Sequence, residues 1–184
     1  MSYIIRCKKQ HHIFLISIDK GDSKLERMNH VLFKALKQDP HCNERRISIN
    51  NVKLVQCNHN GYPAWAQNDA IMEGYIDGMD YFYRINDDTL LLTPDWTTMF
   101  VNVLKTLDPS NVGVVGPTHY GGNTDILTYD FTSEKHIEIF GFHYPRVFTN
   151  WYAGTENFKY MLISIFILRL FIFISIKSIF VNSR

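Results

Sequence analysis

Asp80-Tyr-Phe-Tyr-Arg-Ile-Asn-Asp-Asp-Thr89, followed by Leu90-Leu-Leu-Thr-Pro-Asp95, is the stretch on which the fold turns. Tyr81, Phe82, Tyr83 and Ile85 are aromatic or β-branched within a short, mostly apolar run. That composition suits a strand buried on both faces better than a surface helix. The run stops at Asn86-Asp87-Asp88, so adjacent carboxylates sit at the strand's carboxyl end. In open α/β sheets ligands collect in the crevice outside those ends. Two uses of the acids stand side by side. A carboxylate pair placed there holds a hard divalent cation that in turn holds phosphate oxygens. Asn-Asp-Asp is equally ordinary turn chemistry, with Thr93-Pro94 reading as an N-cap and a proline at the first helical position.

Working outward, Ile13-Phe-Leu-Ile-Ser-Ile18 is a compact apolar run and predicts a buried strand. It ends in Asp19-Lys-Gly-Asp22, a second acidic turn at a strand's carboxyl end. From Leu25 to Lys37, Leu25, Met28, Val31, Leu32, Ala35 and Leu36 recur at three- and four-residue steps, the pattern of an amphipathic helix. Asn51 to Cys57 alternates Val52 and Leu54 against Lys53, Val55 and Cys57, and predicts a strand. Asn58 to Pro63 is a turn cluster. A helix then runs from Ala64 to Met79, its apolar stripe Ile71, Met72, Tyr75, Ile76 and Met79, with Asn68 and Asp69 in the first turns. Downstream, Pro94 to Leu107 predicts a helix burying Phe100, Val101, Val103 and Leu104. Val112-Gly-Val-Val-Gly116 predicts a further strand. Strand and helix thus alternate up to Pro117, the signature of an α/β domain with a doubly wound, mostly parallel sheet.

Beyond Pro117 the pattern changes. Thr118 to Thr124 is polar, and Tyr129 to Phe148 mixes aromatics with His136, His143 and Arg146. This region reads either as a substrate-facing insertion or as aromatic cover for the sheet edge.

At 184 residues the chain has material for one domain with a sizeable core. Its 46% apolar and 14% aromatic content is that of a globular protein, which sets disorder aside. Net charge is +1, yet residues 159–184 hold four basic residues and no acid, leaving 15 basic against 18 acidic residues in 1–158. An acidic body lacks the basic face that nucleic acid requires. Cys7, Cys42 and Cys57 are dispersed and follow no disulfide or zinc spacing. The amino terminus has no apolar core of signal-peptide length. Residues 159–184 are rich in Ile, Phe and Leu without Gly, Ala, Pro, Asp or Glu. Residues 160–176 reach the lower length limit for a membrane span, though Arg169 near the middle costs about 2.5–3.5 kcal/mol on insertion scales. The tail reads as a marginal membrane anchor or as translated AT-rich non-coding sequence, and its composition favours the second.

Ile13 to Asp22, Asn60-Gly61 leading into Ala66-Gln67-Asn68, and Tyr81 to Asp88 together resemble the nucleotide-sugar half of GT-A-fold glycosyltransferases, especially family-2-like enzymes. The run from Ala64-Trp65 through Asp80–Thr89 to Thr93-Pro94-x-Trp96 is most similar to uncharacterised protist members. The resemblance covers roughly residues 12–153. It implies a Rossmann-like fold and transfer of a sugar from a metal-bound nucleotide-diphospho-sugar, a UDP-sugar, to a glycan or glycoprotein acceptor. Asp19 is expected by the uracil or ribose, and Asn68 and Asp87 along the nucleotide-sugar site. Asp88, with Asp87 beside it, is expected to ligate Mn²⁺ or Mg²⁺ in place of an Asp-x-Asp motif, the cation neutralising the departing diphosphate. Asn86 stands where the first acid of that motif belongs, which keeps a ligand oxygen but removes a charge. The usual opening strand is absent or reduced. The acceptor-side base is expected shortly after Asn150-Trp151-Tyr152, where Glu156 is the acid on offer.

On this reading residues 1–117 form the nucleotide-sugar half, 118–158 the acceptor side and 159–184 the tail, with the domain truncated. The alternative is a catalytically inactive relative that binds a carbohydrate or protein partner on its 118–152 face. A nucleotidyltransferase of the same sheet class is a third reading. Secretory-pathway or membrane placement rests on family habit and the tail alone.

Overall fold

The computed structural model describes residues 2–8, 11–19, 52–59, 61–86, 89–120, 129–147, 149 and 172–183. The helix expected over Leu25 to Lys37 lies outside them, as do Asp87, Asp88 and Glu156.

The elements follow as β1 (Ser2–Lys8), β2 (His11–Asp19), β3 (Val52–Cys57), α1 (Pro63–Ile76), β4 (Tyr81–Asn86), β5 (Thr89–Leu91), α2 (Trp96–Thr106), β6 (Gly113–Tyr120), β7 (Phe131–Ser133), α3 (Glu134–Phe140) and β8 (Ile172–Ser183). The strands form one sheet in the order β3-β2-β1-β4-β7-β6-β8-β5. Where the sequence predicts a mostly parallel sheet, the pairings are mixed. β2 with β3 and β6 with β8 are parallel, and the other five are antiparallel. The reason is interleaving. β1 lies antiparallel between β2 and β4, and β7 antiparallel between β4 and β6. Following the pairings through, β2, β3, β4 and β6, the four strands legible in the sequence, all point the same way. The antiparallel insertions are the strands it did not reveal.

β4 shows why the sheet needs cover on both faces. Phe82 and Tyr83 are fully buried and Ile85 nearly so, and alternate residues face opposite sides. Tyr83 and Ile85 pack with Phe100, Leu104 and Leu107 at α2 and with Val115 and Phe131. Phe82 packs on the other face with Leu15, Val55, Ala70 and Ile71 under α1, and with Ile137 of α3. Helices therefore cover both faces.

α1 forms where expected, and of its predicted stripe Ile71, Met72, Tyr75 and Met79 meet the core while Ile76 does not. Its buried residues are Ala64, Ala66, Gln67, Ala70, Ile71 and Gly74, while Ile76 is 72% exposed. Small side chains let the helix lie close to the sheet: a Cβ placed on Gly74 would sit 3.0 Å from Leu15 Cδ1 and 3.2 Å from Phe82 Cε1. α2 starts later than predicted. Thr89–Leu91 is taken up by pairing with β8, and the cap position is Asp95, left-handed at φ 54° and making no side-chain cap bond. Pro117 falls inside β6 and has no amide hydrogen to donate. The register with β8 shifts between Pro117 and Thr118, the irregularity expected where a proline enters a strand. Ile172–Ser183, nearly half of the apolar tail, is β8 and lies between β6 and β5. No helix among the described residues is long and apolar enough to cross a membrane.

Candidate functional site

Shared strand direction fixes the carboxyl edge of the sheet. Asp19 is the last residue of β2 and pairs with Cys57, the last of β3. Ser2 of β1 pairs with Ser17 on one side and with Asn86, the last residue of β4, on the other. Asp19 and Asn86 are thus ends of parallel-running strands on one edge, separated laterally by two strand spacings, about 10 Å. Beyond Cys57 the chain passes Asn58 and His59 into the amino end of α1, on the same edge.

Asn68, expected along a nucleotide site, has a structural task. Its Oδ1 accepts the amides of His143 (3.1 Å) and Tyr144 (2.7 Å), and its Nδ2 donates to the Tyr144 carbonyl (2.7 Å). Both ends of the amide are spent on pinning the segment after α3 to α1. Asp69 lies in the second turn of α1, and its Oδ2 accepts the Asn58 amide at 3.2 Å.

Beneath that segment is a buried polar network that the sequence did not reveal. Arg84 stands directly opposite Asp130 where β4 meets the start of β7, the Arg84 amide donating to the Asp130 carbonyl at 3.1 Å. The Arg84 Nε reaches Asp130 Oδ1 at 3.4 Å and Tyr144 Oη at 3.1 Å. The Tyr144 hydroxyl donates to Asp130 Oδ1, and His143 Nε2 meets Asp130 Oδ2, each at 2.5 Å. His136 Nε2 donates to the His143 carbonyl at 3.0 Å. Arg84, Asp130, His136, His143 and Tyr144 are all less than 10% exposed. Burial alone would raise the Asp130 carboxyl, but His143, Arg84 and the Tyr144 hydroxyl together hold it far below the usual range. For Arg84, Tyr144 and Asp130 outweigh burial and lift the guanidinium above its ordinary value. Burial, with His143 beside it, pushes His136 down to about 3, and burial pushes the Tyr144 phenol well up. The signal in the sequence was Arg84 itself: an arginine inside a strand buried on both faces must have an anionic partner.

Above the network, where α1 meets the segment after α3, is a cavity of about 130 Å³ lined among others by His59, Trp65, Asp69, Phe142, His143 and Arg146. Tyr62 stacks on Trp65 at 4.9 Å between ring centres and His59 meets it edge-on at 4.5 Å. The Trp65 Nε1 donates to the Arg146 carbonyl at 3.1 Å, which ties this corner together.

Of the residues named from sequence, the structure thus brings the end of β2 at Asp19 and the end of β4 at Asn86 to one edge, and gives Asn68 to the 143–144 backbone. No protein-family model, no curated protein and no solved structure matches the chain.

Proposed function

We propose that the chain is a GT-A-type glycosyltransferase domain whose donor site lies at the carboxyl edge of the sheet. One observation carries the reading: β2 and β4 run the same way, so Asp19 and the strand end that leads directly into Asp87-Asp88 share an edge. That edge of an α/β sheet is where phosphorylated ligands collect. Carboxylate oxygens suit a hard cation, and Asp88 with Asp87 would hold Mn²⁺ or Mg²⁺. A bound cation would supply the positive charge against which a nucleoside diphosphate departs. Asp19 would meet the nucleoside, and Glu156 would serve as base toward a glycan acceptor.

The test is UDP release from UDP-glucose, UDP-galactose and UDP-N-acetylglucosamine, with manganese or with chelator. Manganese-dependent release that is lost in Asp88→Asn supports the reading; no release from any donor contradicts transfer. A second reading, an inactive carbohydrate- or protein-binding relative, is favoured by the commitment of Asn68 to backbone. Glycan binding without donor hydrolysis would select it. Pyrophosphate release from a nucleoside triphosphate would point to nucleotidyl transfer.

A further inference from the structure

The 130 Å³ cavity between α1 and the segment after α3 has a chemistry of its own. Asp69 uses Oδ2 on the Asn58 amide, and among the described residues Oδ1 has no partner. Arg146 offers its carbonyl to Trp65, while its guanidinium has no partner among the described residues. No ion pair joins the two side chains, though both line the same small space. His143 lines it too, 3% exposed, with Nε2 held by Asp130. Its Nδ1 is buried without a partner among the described residues. Trp65 and Phe142 add ring surface to the lining, and Met72 and Ile137 add apolar side chains.

These features narrow the ligand. An anion would meet the Asp69 carboxylate, a cation the Arg146 guanidinium, and an apolar molecule would strand both charges without partners. A neutral ring bearing several hydroxyls satisfies all of them at once, because each hydroxyl both donates and accepts. It would donate to Asp69 Oδ1, accept from Arg146, and lay its C–H face on an aromatic side chain. At about 130 Å³ the cavity is smaller than a whole pyranose with its hydroxyls, so it takes in one edge of a single ring, leaves the rest outside, and has no room for a nucleotide. We propose that this cavity is a binding site for a single pyranose ring, held by Asp69 and Arg146 against Trp65. In placing a sugar where the expected nucleotide-sugar half meets the acceptor side it rests on the glycosyl-transfer reading, from which the test below separates it.

Saturation-transfer NMR on the full chain with the methyl glycosides of glucose, galactose, mannose and N-acetylglucosamine is the experiment. Transfer to at least one glycoside is expected, with affinity weakened about tenfold or more in Asp69→Asn and in Arg146→Ala, one charged hydrogen bond each. Lys135→Ala, whose ammonium pairs with Glu138 at the surface, should bind as the parent does. Melting midpoints of the variants check folding, and Asp69→Asn keeps a carbonyl oxygen for the Asn58 amide. Absence of transfer from all four glycosides, affinity unchanged in both variants, or displacement by inorganic phosphate would each overturn the proposal. Manganese-dependent UDP binding is read on the same sample. If it is present while every glycoside fails, this inference alone falls; glycoside binding without it leaves the sugar site standing and removes the donor reading.

Discussion

At the scale of single residues, the most consequential pair is Arg84 and Asp130. Neither ion is tolerable alone in that interior, since removing one partner of a buried pair leaves an uncompensated charge. Asp130→Ala strands Arg84 and the Tyr144 and His143 donors, and is expected to lose about 3–5 kcal/mol in denaturant unfolding. A loss no larger than that of an exposed-pair variant such as Lys135→Ala would contradict this. pH acts on the same network in two windows. Folded His136 titrates at about 3 against an ordinary 6.5, so between those values the unfolded chain holds a proton that the folded one lacks. Stability is therefore full above pH 6.5 and falls as pH drops toward 3, by about 1.4 kcal/mol per pH unit from this group. His136→Phe should flatten that slope in melting curves across the window; an unchanged slope would assign it elsewhere. Asp130 acts lower. Its depressed value gives stability that is present above the unfolded carboxylate range, about pH 4, and is lost as pH falls below it. The network was not read from sequence: Arg84 inside a buried strand signals only that a partner is needed, Asp130 lies 46 residues away, and no local pattern links them.

At the scale of elements, composition and periodicity carried far where an element is buried on its own terms. β4 follows from its aromatic and β-branched run, and β2, β3 and β6 from comparable runs. α1 was legible as a helix, and Ile71, Met72, Tyr75 and Met79 of its predicted stripe meet the core, but its closest approach to the sheet was not legible. That approach falls to Ala66, Ala70 and Gly74, while Ile76 is exposed. That distinction depends on the distance between helix and sheet, which hydrophobicity does not encode. Gly74→Val tests it. Leu15 and Phe82 are both at 0% exposure and have little room to yield, so overpacking is expected to cost about 1–3 kcal/mol. A variant as stable as the parent would mean that α1 sits further from the sheet. The short antiparallel strands were illegible for a different reason. β5 and β7 are three residues each, too short for any period to show, and they are defined by their partners.

At the scale of the whole molecule, the parallel direction of β2, β3, β4 and β6 agrees with the strand–helix alternation in the sequence, while β1, β7 and β5 run against it. β8 makes the largest difference between sequence and structure, because a segment read as an anchor or as spurious occupies a place inside the sheet. Removing residues 172–184 should bare the β6 edge and lower the melting midpoint by several degrees, with aggregation through the exposed edge. An unchanged midpoint would show that β8 adds nothing to the sheet. Of the candidate site, the two acidic strand ends were legible from Asp19 and Asn86-Asp87-Asp88, whereas the Asp69–Arg146 cavity depends on a junction between α1 and a segment some 70 residues later. The reading as a whole stands on the carboxyl edge of the sheet holding a metal-bound nucleoside diphosphate. Calorimetric titration of UDP into the full chain, with and without Mn²⁺ and in Asp88→Ala, measures that directly. Binding that requires manganese and disappears in Asp88→Ala is the expected result; affinity indifferent to manganese, or intact in Asp88→Ala, would contradict it.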